Sequence, residues 1–140
     1  MRILAIDPGS KRIGLAISDP TGTIASPLAV IDHIARAQDA LRISKLASQH
    51  GAGLIIVGQS LDELGRPTLE GRRAARLAAE IRTQSGLPVE LWDEESSTQA
   101  ARSARLALGV ARRRRRGHQD DLAAAIILQS YLEAHRSDQL

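Results

Sequence analysis

The chain has no cysteine, which excludes disulfides and thiolate metal sites and fits a reducing compartment. It has no phenylalanine, and its aromatic residues are Trp92 and Tyr131 alone. A protein that holds single strands by stacking bases on aromatic rings needs more than that. Any nucleic acid bound here is expected to be gripped by its backbone and shape. Lysine is scarce too: Lys11 and Lys45 are the two, so nearly all the positive charge is arginine. Arginine offers a planar fork matched to phosphate, although a GC-rich genome also favours it. Long apolar runs are missing. The longest, Leu122 to Leu128, is far too short to span a bilayer. Asp7 interrupts the apolar start, so no signal-peptide pattern forms. The expected location is cytoplasmic, with no membrane partner.

What is present fits one domain over residues 1–140, long enough for one real core and without repeats. The net charge is +3 and the pI about 10.2, a modest excess of positive charge.

The first fifteen residues organise the rest. Ile3 to Ile6 is an aliphatic run that ends in one carboxylate, Asp7. A Pro-Gly turn follows, then a second aliphatic run from Ile13 to Ile17. Two short apolar runs joined by turn residues read as a hairpin. Aspartate is a poor strand former and costly to bury unpaired. Asp7 therefore needs a cation, a set of donors or water. Gly9 and Gly14 would let a phosphate or metal approach the backbone beside it. The plainer alternative is an Asx-type turn capped by Asp7.

Further along, Asp19-Pro-Thr-Gly22 signals a turn, and Thr23 to Val30 reads as a third antiparallel strand, at an edge because of Pro27. A helix should open at Asp32 or His33 and run to about His50, with Ile34, Leu41, Ile43, Leu46 and Ala47 inward. Leu54 to Gly58 is an all-apolar strand of the kind buried on both faces. Gln59 to Thr68 is a loop; Leu69 to Gln84 is a helix with Ala74, Leu77, Ala78 and Ile81 inward. Pro88 to Trp92 is expected to be another buried strand. Ser96 with Gln99 has capping-box spacing and should start a helix to about Leu108. Gly109 to Gly117 holds five consecutive arginines, and Gln119 to His135 is a final helix, apolar nearly all round. Helical crossovers make the fourth and fifth strands parallel to the first. The expected fold is α/β: a mixed five-stranded sheet, three antiparallel strands then two parallel, with helices on its faces.

Three carboxylates then stand at element boundaries: Asp7 after the first strand, Glu94 after the fifth, and Asp120 at the start of the last helix. If the first, fourth and fifth strands are neighbours, Asp7 and Glu94 leave the same sheet edge and the last helix can bring Asp120 over it. Three hard oxygen ligands suit Mg²⁺ or Mn²⁺. Two such ions can activate water and stabilise the leaving oxygen in phosphodiester cleavage. Each acid also has a plainer reading. Asp120 can serve the helix dipole, Glu94 can be a solvated charge, and Arg112 to Arg116 can be a solvated loop.

The chain resembles the YqgF/RuvX family of the RNase H-like superfamily over essentially its full length. The resemblance rests on Ile6-Asp-Pro-Gly-Ser-Lys-Arg-Ile-Gly-Leu-Ala16, Ile55-Ile-Val-Gly58, Leu91-Trp-Asp-Glu94 with Ser97, Thr98 and Ala101, and Asp120 with Ala123 to Gln129. It implies an RNase H-like fold and a metal-dependent nuclease acting in 5′-end maturation of pre-16S rRNA or as a Holliday-junction resolvase. The family's acids fall on Asp7, Glu94 and Asp120. Four positions depart from the family pattern. Glu95 stands where arginine is usual, Gln59-Ser60 where Leu-Pro is common, Gln119 where a hydrophobic residue is usual, and Asp121 where a basic residue is frequent. Glu95 reverses a charge beside the site.

Candidate phosphate contacts are Lys11 and Arg12 in the first turn and Arg112, Arg113, Arg114, Arg115 and Arg116 before the last helix. The expected partner is structured RNA or branched DNA, held through its backbone. A homodimer is one reading of the assembly. Two other functions compete: a nucleic-acid-binding protein in which Glu95 and the altered loop have disabled cleavage, and a phosphate-handling relative of sugar-kinase and actin-like folds. The latter needs two such domains, and 140 residues hold one.

Overall fold

The computed structural model describes residues 1–94 and 119–136, leaving aside the side chains of 119–121. Alternation of aliphatic and small residues draws the first part of the chain into β1 (Arg2–Pro8), β2 (Arg12–Ser18) and β3 (Ala25–Asp32). β1 pairs antiparallel with β2, and β2 with β3. The β2–β3 turn is built on Asp19. Its carboxylate accepts from the Thr21 hydroxyl and from the Ile24 and Thr23 N–H groups, which hold it far below the usual carboxylate range. Gly22 closes that turn at φ 71°, a left-handed conformation that costs glycine little. β3 begins and ends two residues later than the sequence suggests. It is an edge strand, as Pro27 requires, and the register slips beside that proline.

The remaining described elements are α1 (Arg36–Gln49), β4 (Ala52–Gln59), α2 (Leu69–Ser85), β5 (Val89–Asp93) and α3 (Gln119–Ala134). The helix expected from Ser96 to Leu108 lies outside the described residues. The sheet order is β3-β2-β1-β4-β5, with β4 parallel to both β1 and β5. The mixed five-stranded sheet with helices on both faces is therefore present.

Strand alternation divides the core in two. Leu4, Ile6, Ile55 and Val57 pack with α1 and α2 on one face. Ile3, Ala5, Leu54 and Ile56 pack with α3 on the other. Fully burying each leucine or isoleucine stabilises the fold by about 1.5–3 kcal/mol. At α2 the Thr68 hydroxyl accepts from the Gly71 N–H at 3.1 Å, and Gly86 ends the helix at φ 70°.

Two expectations fail. α1 starts at Arg36 and turns Asp39, Ala40, Ile43 and Ala47 inward, while Ile34 and Leu41 are 61% and 46% exposed. Residue 34 precedes the helix, and the spacing of 39, 43 and 47 defines the buried stripe. β5 is an edge strand rather than a strand buried on both faces, so Glu90 and Leu91 are exposed.

Candidate active site

Asp7 sits near the end of β1, half-buried, opposite Gly14 of β2. Its neighbour Ile6 is level with Val57, so Asp7 is level with Gly58 of β4, which pairs in turn with Trp92 of β5. Glu94 follows β5 directly, and its N–H donates to the Gln59 carbonyl at 3.2 Å. Both acids therefore leave the carboxyl edge of the parallel strands with β4 between them. Two interstrand spacings of about 4.8 Å, with Glu94 two residues beyond the level of Asp7, put their backbones about 12 Å apart.

Face follows from parity, because successive strand residues point to opposite sides. Ile3 and Ala5 face α3, so Asp7 does as well. On β5 the Tyr131 hydroxyl of α3 donates to Glu90 at 3.0 Å, and the Trp92 indole N–H donates to Ser130 at 3.3 Å. The same alternation carried one residue past β5 turns Glu94 toward α3 and Asp93 away.

α3 runs antiparallel to β4 and β5. Tyr131 lies over Glu90, while Ile127 lies over Gly58, nearer the carboxyl edge. A Cβ on Gly58 would stand 2.7 Å from Ile127 Cδ1, so the bare glycine gives α3 its close seat. At 1.5 Å per residue, Gln119 lies about 12 Å ahead of Ile127 along the helix axis. That carries the first turn of α3, with Asp120 in it, past the level of Asp7 on the carboxyl side of the sheet. The Asp120 side chain lies outside the described residues, as does the whole of Arg112 to Arg116.

Lys11, in the turn after β1, and Arg12, the first residue of β2, are exposed. That turn is tight, since a Cβ on Gly9 would stand 2.3 Å from the Arg12 carbonyl oxygen. The Lys11 carbonyl accepts from the His33 N–H at 2.8 Å. Sequence reasoning missed Asp39. It is 1% exposed, near the same sheet edge but on the α1/α2 side. Burial pushes its carboxyl up, but the Ile34 N–H, His33 and Arg42 together outweigh burial and hold it below the usual range. Periodicity gave no signal for it, because burying this carboxylate depends on its partners His33 and Arg42.

Asp7 and Glu94 supply hard oxygens of the kind that Mg²⁺ and Mn²⁺ take. Among the described residues no three acidic or histidine side chains gather as a metal site; the third ligand expected, Asp120, is not among those side chains.

The sheet order and the helices on both faces define an RNase H-like fold. Solved structures agree on the fold. Thermus thermophilus RuvC in complex with a Holliday junction substrate superposes with TM-score 0.65 at 19% identity, covering 98% of this chain and 96% of that one. The fowlpox virus Holliday junction resolvase gives 0.57 at 15%, covering 96% and 99%. The chain belongs to the RuvX family: the family model described as "RuvX: Holliday junction resolvase" matches residues 1–134. A relative from Symbiobacterium thermophilum, 44% identical over 96% of this chain and 93% of its own length, carries the name "Putative pre-16S rRNA nuclease". One from Geobacillus kaustophilus, 38% identical over 97% of this chain and 100% of its own, carries the same name.

Proposed function

We propose that residues 1–140 form one metal-dependent nuclease domain that cleaves phosphodiester bonds in structured nucleic acid. The substrate class we favour is the 5′ leader of pre-16S rRNA, because the relatives that match over nearly their whole length carry that name. A four-way DNA junction is the second substrate reading, favoured by the family description. The observation that supports cleavage is the exit of Asp7 and Glu94 from one sheet edge, on the face that α3 covers. In this reading Asp7, Glu94 and Asp120 hold Mg²⁺ or Mn²⁺. Bound there, the metal would activate water and stabilise the leaving oxygen.

The chain's own residues supply position. β4 sets the gap between Asp7 and Glu94, and the glycine at 58 lets α3 settle close enough to bring Asp120 in. Lys11 and Arg12 hold backbone phosphates beside Asp7, and Arg112 to Arg116 hold them beside Asp120. No helix among the described residues is long and apolar enough to cross a membrane, and we place the protein in the cytoplasm. A homodimer would offer two such edges to a branched substrate.

The deciding experiment incubates a pre-rRNA 5′ leader and a four-way DNA junction side by side, with Mg²⁺, with Mn²⁺ and with neither. Metal-dependent cuts in the leader alone support the rRNA reading, and cuts in the junction alone support the resolvase reading. Binding of either substrate without cleavage under all conditions would make this chain a binding protein, with Glu95 the first residue to revert to arginine.

A further inference from the structure

A cavity of about 470 Å³ opens at the same sheet edge as Asp7 but on the opposite face, between the β1–β2 turn, α1 and α2. Pro8, next to Asp7 in the chain, forms part of its wall. The acid and the cavity are thus separated by a single residue of one strand. Arg36 of α1 and Arg73 and Arg76 of α2 line it. All three are exposed, and none makes an ion pair or side-chain hydrogen bond among the described residues. Two carboxylates share the cavity. Asp39 is engaged by His33 and Arg42, whereas Glu70 has no such partner among the described residues. The charge left over is positive and presented by guanidinium forks, the geometry that matches phosphate. Ile13 and Leu77 add apolar wall. The volume exceeds what a lone anion fills and falls low in the range of small-ligand sites. It suits a phosphate together with its sugar.

From these features we infer a second backbone-binding site, in which Arg36, Arg73 and Arg76 take a nucleotide phosphate of the substrate strand on the far side of the sheet edge from the acids. The inference rests on the nucleic-acid reading above. A strand that presents one phosphate to Asp7 has neighbouring phosphates within reach of the cavity. The contact is to the backbone, so it positions the strand without reading bases. Glu70, facing the same space, opposes it and sets how tightly a phosphate is held.

The test measures binding of a stem-loop RNA and a four-way DNA junction in EDTA across a salt series. The proteins are the wild-type chain, the triple variant Arg36→Gln/Arg73→Gln/Arg76→Gln, and Glu70→Gln. Glutamine keeps helix propensity close to that of arginine, and circular dichroism checks the fold. The triple variant should weaken both complexes by a similar factor and lower the salt slope by about 0.7 to 0.9 for each phosphate it no longer neutralises. Glu70→Gln should tighten both. A loss of fold would not produce these opposite signs. Unchanged affinity and slope in the triple variant overturn the inference, and so does failure of the wild-type chain to bind either probe. Cleavage is followed separately in Mn²⁺. Arginine-dependent binding without any cut by the wild-type chain would sink the nuclease reading and leave this site standing.

Discussion

Asp39 is a carboxylate with almost no access to water, and three donors make that tenable. The Ile34 N–H donates to it at 3.0 Å, Arg42 at 2.7 Å, and His33 closes the other oxygen. Hydrogen bonds to charged groups contribute about 1.5–3 kcal/mol each. Asp39→Asn keeps the shape but loses the charge, so it should lower stability by about that amount at pH 7, read from urea midpoints. The sign with pH follows from the depressed carboxyl. The stabilisation is complete above the ordinary value of 3.8 and is lost as the pH falls through the lower folded value. The gap between wild type and variant should therefore narrow below pH 3.8; a constant gap would count against the ion-pair account. Asp7→Asn is expected to act differently, leaving the urea midpoint near its place while cleavage drops by more than about 100-fold. Losing a group that merely supports a metal ligand already costs up to that factor. Activity that survives the change would remove Asp7 from the site.

At the scale of elements, the proposed site needs one of two neighbouring acids of α3, Asp120 or Asp121. Both stripes that follow from its first turn are buried, through Ala124, Ile127 and Tyr131 on one side and Ala125, Leu128 and Leu132 on the other. Burial therefore does not choose between Asp120 and Asp121. Direction does: Ile127 and Tyr131 lie over β4 and β5, whereas Gln129 reaches the Ala25 N–H of β3. By 3.6-residue spacing, position 120 is in step with 127 and 131, and position 121 is about 100° from it, so we expect Asp120 to be the acid the site uses. Asp120→Asn should abolish cleavage and Asp121→Asn should spare it; the reverse result would exchange the two. Glycines that seat the helices give a graded test of stability. Gly58→Ala clashes with the tip of Ile127 and otherwise makes ordinary contact with the Ile6 carbonyl oxygen, and overpacking there should cost about 1–3 kcal/mol. Gly71→Ala would place its methyl 2.1 Å from the Ser60 carbonyl oxygen, a backbone atom that cannot swing aside. Its thermal midpoint should fall further than that of Gly58→Ala. Element order, strand pairing and the edge proline were legible because apolar period and turn residues report them directly. The buried stripe of α1 was not, because burying Asp39 depends on His33 and Arg42, partners that a periodicity argument does not see. The status of β5 was legible in part, since Glu90 stands inside Pro88 to Trp92 and a charge within a strand fits an exposed edge.

For the whole molecule, the modest charge of +3 hides how unevenly arginine is spread. Arg112 to Arg116 place five guanidiniums in a row just ahead of Asp120. Like charges so close repel one another, and a phosphate backbone relieves that repulsion while releasing its counterions. The run should then hold the strand near Asp120 without regard to sequence. Replacing all five with alanine should weaken binding about equally for every sequence tested. It should also lower the slope of log affinity against log salt by about 0.7 to 0.9 for each phosphate left unneutralised. Cleavage at saturating substrate should fall less than cleavage at low substrate, because the loss is one of grip rather than of chemistry. A salt slope that does not move in the five-fold variant would assign the grip to the arginines between Arg72 and Arg82 on α2 and leave the run as a solvated segment.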